Sequence, residues 1–199
     1  MANSKIRKPA SKTPSKSASK VSANQSESTG KETMSRPEFP IVGLGASAGG
    51  LEAFEQFFTH LPADPGMAFV LVQHLDPSHK SILTELVGRY TQMKVLEVQD
   101  GMPVEIDTVY VIPPNRYMAI LHRKLHLLLP TEMPGPRVPI DFFFRSLAKD
   151  QQDKAICIVL SGTGTEGALG LRAIKGEGGM AMVQRSEEHT SELQSRGLI

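Results

Sequence analysis

The stretch IVGLGASAGGLEA, residues 41–53, joins a short apolar run to the beginning of a helical pattern. The run PIVGLGA (40–46) contains β-branched residues and ends in small ones, which predicts a buried strand. In the next segment, GGLEAFEQFFTHL (49–61), large apolar residues recur at helical spacing: Leu51, Phe54, Phe57, Phe58 and Leu61. The two patterns predict a strand that turns directly into a helix, which is a building block of parallel α/β sheets.

The same alternation continues along the chain. Further strands are predicted at MAFVLVQ (67–73), AICIVLSG (155–162) and MAMVQ (180–184). Helices are predicted at about 78–90, with Ser78 as N-cap, at 139–153 and at 166–179. Residues 95–130 contain four short strands separated by turns, VLEV, TVYVI, YMAIL and KLHLLL. The whole pattern predicts an α/β fold, a doubly wound, three-layer, mostly parallel sheet with helices on both faces.

The junction of the first strand and the first helix carries the sharpest chemical motif. GLGASAGG (43–50) contains GxSxG, formed by Gly45, Ser47 and Gly49. A nucleophilic serine on a sharp turn needs small neighbours, because its hydroxyl must stand clear of other side chains. The amide of Ala48 or that of Gly49, at the start of the helix, suits an oxyanion formed on the group that Ser47 attacks.

Two other interpretations of this junction stay open. Gly43, Gly45 and Ala48 nearly fit the dinucleotide-binding fingerprint, which requires an acid at the end of the second strand, about 20 residues further on. Asp64 has the right count but lies before that strand, which favours a hydrolase over a nucleotide site. The junction is also compatible with a tight turn that has no function.

His74 follows the second predicted strand as Ser47 follows the first. Reacting groups of parallel sheets collect beyond the carboxyl ends of the strands, so we expect both residues at one edge. A histidine hydrogen-bonded to a serine there acts as its general base, although a strand-end histidine by itself is more often structural. His79 is a weaker base candidate. No third ligand accompanies the two histidines, so neither a metal nor a cofactor is predicted.

Glu166 is the only acid of the glycine-rich loop GTGTEG (162–167), which follows another predicted strand. An acid there would orient the histidine and stabilise its charged form. The competing interpretation puts Glu166 in the first turn of the next helix, where the macrodipole favours a carboxylate. The convergence of Ser47, His74 and Glu166 on three strand ends favours a catalytic triad.

Charge and composition limit the classes of function. The net charge is +1, but residues 1–36 hold eight basic and two acidic side chains, which predicts a disordered basic leader. The rest of the chain is acidic and gives no reason to expect a nucleic-acid partner. Cys157 is the only cysteine, and neither a secretory signal nor an apolar run of membrane-spanning length occurs. A cytoplasmic protein without membrane insertion is therefore expected.

The final residues, RSEEHTSELQSRGLI (185–199), break the pattern of strands and helices. A sequencing-adapter oligonucleotide encodes RSEEHTSELQS in frame, so we expect that the gene sequence runs into adapter at Arg185. The catalytic domain would then span 37–184. The other interpretation is an ordinary polar tail, and non-adapter codons across this junction would favour it.

Five ordered motifs within residues 40–184 resemble the CheB-type protein-glutamate methylesterase family, most closely the versions fused ahead of a CheR-type methyltransferase. They are IVGLGASAGGLEA, FVLVQHLDPSHKSIL, VYVIPPNRYM, VPIDFFFRSLA and LSGTGTEGALGLRAIKGEGG. The resemblance implies that Ser47 and His74 are the catalytic serine and histidine, and that Glu166 stands where the family usually has aspartate. It also implies the Thr163 amide as a second oxyanion donor.

The resemblance further implies a reaction and its partners. The substrate would be a glutamate methyl ester on a chemoreceptor helix, with deamidation of receptor glutamine by the same acyl chemistry. Linked methyltransferase and sensor-kinase domains are expected in the intact protein. Family members continue beyond the position of Gln184, so the last part of the domain is expected to be missing. An exposed strand edge, and marginal stability or aggregation, would follow.

Two other classes of protein stay open. A catalytically silent module of a signalling protein is suggested by the glutamate at position 166, and a nucleotide-binding domain by the glycine pattern. Arg116 and Arg137 are interpreted as solvated surface rather than as contacts to an acidic receptor helix.

Overall fold

Six strands form the main sheet of the protein. The structure, a computed structural model, describes residues 38–46, 50–73, 82–132, 137–160 and 166–184, all within the unit that spans residues 37–199. The strands of this sheet are β1 Ile41–Ala46, β2 Ala68–Gln73, β3 Lys94–Glu97, β5 Thr108–Val111, β8 Ala155–Leu160 and β9 Met180–Val183. Their order is β3-β5-β2-β1-β8-β9, and within the described ranges every pairing is parallel.

The two central strands are buried on both faces. Every residue of β1 is buried, and so is every residue of β2 except the half-buried Gln73. Because both faces of such strands are covered, their sequences are continuous apolar runs rather than alternating ones. The strands predicted at 40–46 and 67–73 are confirmed to within one residue.

A second, smaller sheet is antiparallel and was not predicted as a separate unit. It consists of β4 Met102–Pro103, β6 Tyr117–Leu121 and β7 Lys124–Leu128, in the order β4-β7-β6. The four strands predicted within residues 95–130 are present, but the first two, β3 and β5, join the main sheet. A two-residue turn, His122 and Arg123 at φ 51° and 58°, connects β6 to β7, and the Asp150 carboxylate accepts both turn amides.

Helices cover both faces of the main sheet. They are α1 Gly50–Thr59, α2 Leu83–Tyr90, α3 Pro139–Gln151 and α4 Ala168–Gly176, with 3-10 turns at Pro130–Glu132 and Gln152–Lys154. The neighbours Phe69 and Val70 of β2 contribute to different hydrophobic clusters, because successive strand residues face opposite ways. One cluster contains α1 and α2, and the other contains α3, α4 and the small sheet. The predicted three-layer α/β architecture is confirmed.

The second helix differs from its prediction. Residues 78–81, with the predicted cap Ser78, lie outside the described residues, and α2 begins at Leu83 with Ile82 at its N-cap position. Ile82, an apolar residue within the predicted helix, precedes α2 and is 60% exposed. No helix of the described ranges has the length and apolarity needed to cross a membrane.

The edge strand β9 presents apolar side chains to solvent. Within the described residues it pairs only with β8, and Met180, Met182 and Val183 are 56%, 41% and 63% exposed. An unpaired edge with exposed apolar side chains is a template for association with another chain.

We expect the double substitution Met180→Lys/Met182→Lys to reduce self-association of the 199-residue protein, because charges on an edge strand oppose edge-to-edge pairing. Sedimentation velocity over a range of concentrations measures this. Ile106→Lys is the matched control, since Ile106 is 44% exposed but lies outside any strand. An equal reduction in the control, or no reduction at β9, would contradict the assignment of this edge.

Candidate active site

Three neighbouring strands end at the same level of the main sheet. Ala46, the last residue of β1, pairs with Gln73 at the end of β2 and with Leu160 at the end of β8. Since adjacent strands lie about 4.8 Å apart, Gln73 and Leu160 each lie about that far from Ala46 at the carboxyl edge. In sequence, these strand ends are followed by three segments, 47–49, 74–81 and 161–165.

Most of the predicted site residues belong to those three segments. Ser47, Ala48, Gly49, His74 and Thr163 lie outside the described residues, and so does the weaker base candidate His79. Their structural neighbours are described. Gly50, the first residue of α1, lies against the Gln73 side chain, and a Cβ built on it would be 3.9 Å from Gln73 Nε2. Gly50, which follows position 49, therefore lies beside Gln73, which precedes position 74.

Glu166 is described, and its carboxylate contacts helix α3. Its Oε1 accepts a hydrogen bond from the Ile140 amide at 2.7 Å. Ile140 is the second residue of α3, where backbone N–H groups have no partner within the helix and the helix dipole favours negative charge. The predicted helix at 166–179 begins only at Ala168, after Gly167 at φ 96°. Glu166 thus precedes α4 and binds the N-terminus of α3, which corrects the first-turn interpretation.

A second carboxylate, that of Asp141 in α3, contacts the N-terminus of α4. Asp141 is the third residue of α3, and its Oδ1 accepts a hydrogen bond from the Gly170 amide of α4 at 2.6 Å. Asp141 was not predicted as a site residue, because an acid in the first turn of a helix is an ordinary feature. Its hydrogen-bond partner, Gly170, is 29 residues away along the chain, so no local sequence pattern predicts the contact.

A small cavity of about 40 Å³ lies between the end of β2 and the start of α3. Its lining residues are Gln73, Pro113, Asn115, Arg116, Tyr117, Arg137 and Pro139. Arg137 donates a hydrogen bond to Asn115, and the Val138 amide donates to the Tyr117 hydroxyl at 3.2 Å, so the start of α3 is tied to the turn before β6. Arg116 is half-buried and Arg137 is exposed. Gln73, which precedes His74 in sequence, and Pro139, which precedes Ile140, therefore line the same cavity.

The glycines that resemble a dinucleotide fingerprint have a different explanation in the structure. Gly43 and Gly45 lie within β1, and α3 crosses directly over them. A Cβ on Gly45 would be 2.5 Å from Ile140 Cγ2, and one on Gly43 would be 2.9 Å from Phe144 Cε1. The two glycines thus allow close packing of helix on sheet, and this packing needs no nucleotide.

Cys157 is unsuited to be a nucleophile. Its side chain lies within β8 and is fully buried, and burial raises the pKa of the thiol to about 12 from an ordinary value of 9.0. A neutral, inaccessible thiol neither attacks substrates nor binds metals. Among the described residues, no group of three or more His, Cys, Asp or Glu side chains is placed to hold a metal ion.

We expect Cys157 to resist alkylation by iodoacetamide at pH 8 in the native protein and to react fully in urea, as read by intact mass. The raised pKa of Cys157 also makes the free energy of unfolding depend on pH. Above about pH 9 the unfolded thiol loses its proton while the native thiol keeps it, so the free energy of unfolding falls as the pH rises from 9 toward 12. Rapid native labelling at pH 8 would contradict the burial.

The described chain is thus a three-layer α/β domain whose candidate active site lies at the carboxyl edge of its parallel sheet. The sequence model of the CheB methylesterase family matches residues 42–195, and the chain belongs to this family. The match includes the first part of the tail at 185–199. The adapter origin of that tail stays a prediction, which the nucleotide sequence at the codon for Arg185 tests.

Individual relatives agree with the family assignment. The chain is 32% identical over 152 residues to "Protein-glutamate methylesterase/protein-glutamine glutaminase 2" of Methanosarcina acetivorans, covering 72% of this chain and 43% of the relative. It is 29% identical to a putative enzyme of the same name from Leptospira interrogans, covering 73% of this chain and 76% of the relative. The chain therefore spans less than half the length of the first of these relatives.

A solved structure supports the fold. The crystal structure of the Thermotoga maritima CheB methylesterase catalytic domain matches with a TM-score of 0.67 and 25% sequence identity, over 76% of this chain and 82% of that one. The mostly parallel six-stranded sheet with helices is therefore the CheB catalytic-domain fold.

Proposed function

We propose that this chain is a protein-glutamate methylesterase that hydrolyses glutamate methyl esters on chemoreceptors, with Ser47 as nucleophile. Membership of the CheB methylesterase family and the names of its relatives support this activity. The observation that carries the proposal is the register of the sheet, in which Ala46, Gln73 and Leu160 lie side by side. Ser47 and His74 each follow one of these residues directly.

In the proposed reaction, the Ser47 hydroxyl attacks the ester carbonyl carbon while His74 takes the hydroxyl proton. The amides of Ala48, Gly49 and Thr163 are the proposed donors to the oxyanion. His74 then returns the proton to the departing methoxide, which leaves as methanol, and a glutamyl ester of Ser47 remains. Water activated by His74 hydrolyses that ester and gives a free glutamate. Glutamine would pass through the same acyl-enzyme with loss of ammonia.

Glu166 is the proposed partner of the His74 imidazole. The Ile140 amide fixes one carboxylate oxygen at 2.7 Å, which gives the group a defined orientation at the N-terminus of α3. We propose that its other oxygen accepts the Nδ1–H of His74. A glutamate can then fulfil the role of the shorter aspartate, because the extra methylene is accommodated between the start of α4 and the start of α3.

The partner in this proposal is a methylated chemoreceptor helix, and the location is the cytoplasm, where that substrate would be met. Methyltransferase and sensor-kinase domains elsewhere in the intact protein are part of the same proposal. The uninterrupted gene locus tests them directly, since it either encodes such domains beside this one or does not.

Methanol release tests the activity. The 199-residue protein would be incubated with a receptor carrying radiolabelled glutamate methyl esters. We expect labelled methanol from the wild type and none above background from Ser47→Ala. A folded protein that binds the receptor without releasing methanol would favour the silent regulatory module instead.

A further inference from the structure

Asp141 is a buried carboxylate that the proposed reaction does not use. Asp141 is only 5% exposed, although it lies in the first turn of α3, where acids usually face solvent. A buried carboxylate is costly unless it is hydrogen-bonded, and the Gly170 amide supplies such a bond at 2.6 Å. The position therefore calls for an explanation beyond helix propensity.

The contacts of Asp141 and Glu166 are reciprocal. Glu166, which precedes α4, accepts the Ile140 amide of α3, and Asp141, in α3, accepts the Gly170 amide of α4. Neither helix has a side-chain cap from its own N-cap residue, Val138 or Gly167. The N-terminus of α4 thus receives a carboxylate from α3, and the N-terminus of α3 receives one from the residue just before the N-cap of α4.

The two helices also pack closely where these contacts lie. A Cβ on Gly170 would lie 2.5 Å from Phe144 Cβ, so α4 approaches α3 as closely as a glycine permits. Between Glu166 and α4 lies Gly167 at φ 96°, a conformation that other residues rarely adopt. The position of the Glu166 carboxylate therefore depends on where the start of α4 is held.

We propose that Asp141 is a positioning residue for Glu166. By holding the Gly170 amide, it fixes the start of α4 against α3 and keeps the Glu166 carboxylate in the orientation that His74 needs. The inference rests on the proposed function, since it assumes that Glu166 orients the catalytic histidine. Asp141 itself touches neither the substrate nor the reacting atoms in this account.

The first test separates kcat from KM in methyl-ester hydrolysis. We expect Asp141→Ala to lower kcat by about 100-fold with little change in KM, because misplacing a catalytic group by about 1 Å has an effect of that size. Asp141→Asn keeps an oxygen acceptor for the Gly170 amide, so we expect it to retain kcat within a few-fold. If the asparagine variant folds and loses as much activity as the alanine variant, the hydrogen bond is not what matters and the proposal fails.

Asp150 offers a matched control on the same helix. It also accepts backbone amides, those of His122 and Arg123, but at the opposite end of α3. We expect Asp150→Ala to lower the melting temperature and to leave kcat unchanged. A fall in kcat for Asp150→Ala equal to that for Asp141→Ala would mean that any loss of stability in α3 slows the enzyme, and would overturn the proposal.

A double-mutant cycle tests whether Asp141 acts through Glu166. If it does, Asp141→Ala/Glu166→Gln is no slower than Glu166→Gln alone, because the group to be positioned is already disabled. Multiplied losses would overturn the inference while leaving the triad intact. A large loss of activity in Glu166→Gln, together with full activity in Asp141→Ala, would also overturn the inference and leave the triad intact. A folded wild type with no esterase activity would overturn the proposed function first.

Discussion

Ser47→Ala is expected to lower kcat for glutamate methyl ester hydrolysis by about 10⁶-fold, the loss seen when the nucleophile of a serine protease is removed. The reason is chemical, since no other group at the junction of β1 and α1 can form the acyl-enzyme. Position 47 follows the fully buried Ala46 and precedes the start of α1 by three residues. The loss of one hydroxyl there should leave the melting temperature nearly unchanged.

Ser146 supplies the matched serine control. Its hydroxyl donates to the Phe143 carbonyl at 2.7 Å and accepts the Ile120 amide at 3.0 Å, so it has a structural role in α3 away from the carboxyl edge. We expect Ser146→Ala to lower stability by about 1 kcal/mol and to leave kcat/KM unchanged. A folded Ser47→Ala variant that still releases methanol at the wild-type rate would disprove the assigned nucleophile.

Glu166→Gln is expected to lower kcat by about 10⁴-fold, as an amide in place of the orienting acid does in serine proteases. The carbonyl oxygen of glutamine can still accept the Ile140 amide, so the fold should persist while the negative charge of the carboxylate is lost. In the proposed triad, His74 would then be held less well in the required tautomer, and its charged form would no longer be stabilised. Steady-state kinetics on a methylated receptor peptide measure the effect.

Two further variants make the test of Glu166 specific. Glu166→Asp keeps the charge but shortens the side chain by one methylene, so we expect activity between that of the wild type and that of Glu166→Gln. Glu177→Gln removes an exposed acid just beyond α4 and should have no effect. Full activity in Glu166→Gln would remove Glu166 from the triad and point to a different orienting group.

The main sheet was predictable from sequence because its central strands are buried on both faces. Continuous apolar runs such as residues 67–73 have few alternative interpretations in a chain that alternates strands with helical patterns. The small sheet was less accessible. Its strand β4 has only two residues, one of them a proline, and it is defined by pairing with β7, in which Met102 lies opposite Leu125. Such pairing has no local sequence signal.

The sequence predicts site residues where the chemistry is local, and it misses contacts that depend on packing. GxSxG and a histidine after the next strand are sequence patterns, and the roles of Ser47 and His74 stay predictions; what the structure describes is the register of the residues before them, Ala46 and Gln73. The contact of Glu166 with Ile140, and that of Asp141 with Gly170, join residues 26 and 29 positions apart. They depend on how closely α3 and α4 approach each other.

The most direct test of Ser47 as the nucleophile is to find which residue a fluorophosphonate probe labels covalently, by peptide mass spectrometry. A serine hydroxyl activated by an adjacent imidazole should carry the phosphonyl group. We expect one adduct, on Ser47, which is absent in Ser47→Ala and weakened in His74→Ala. A folded, ester-hydrolysing protein that carries the adduct on another residue, or carries none, would contradict it.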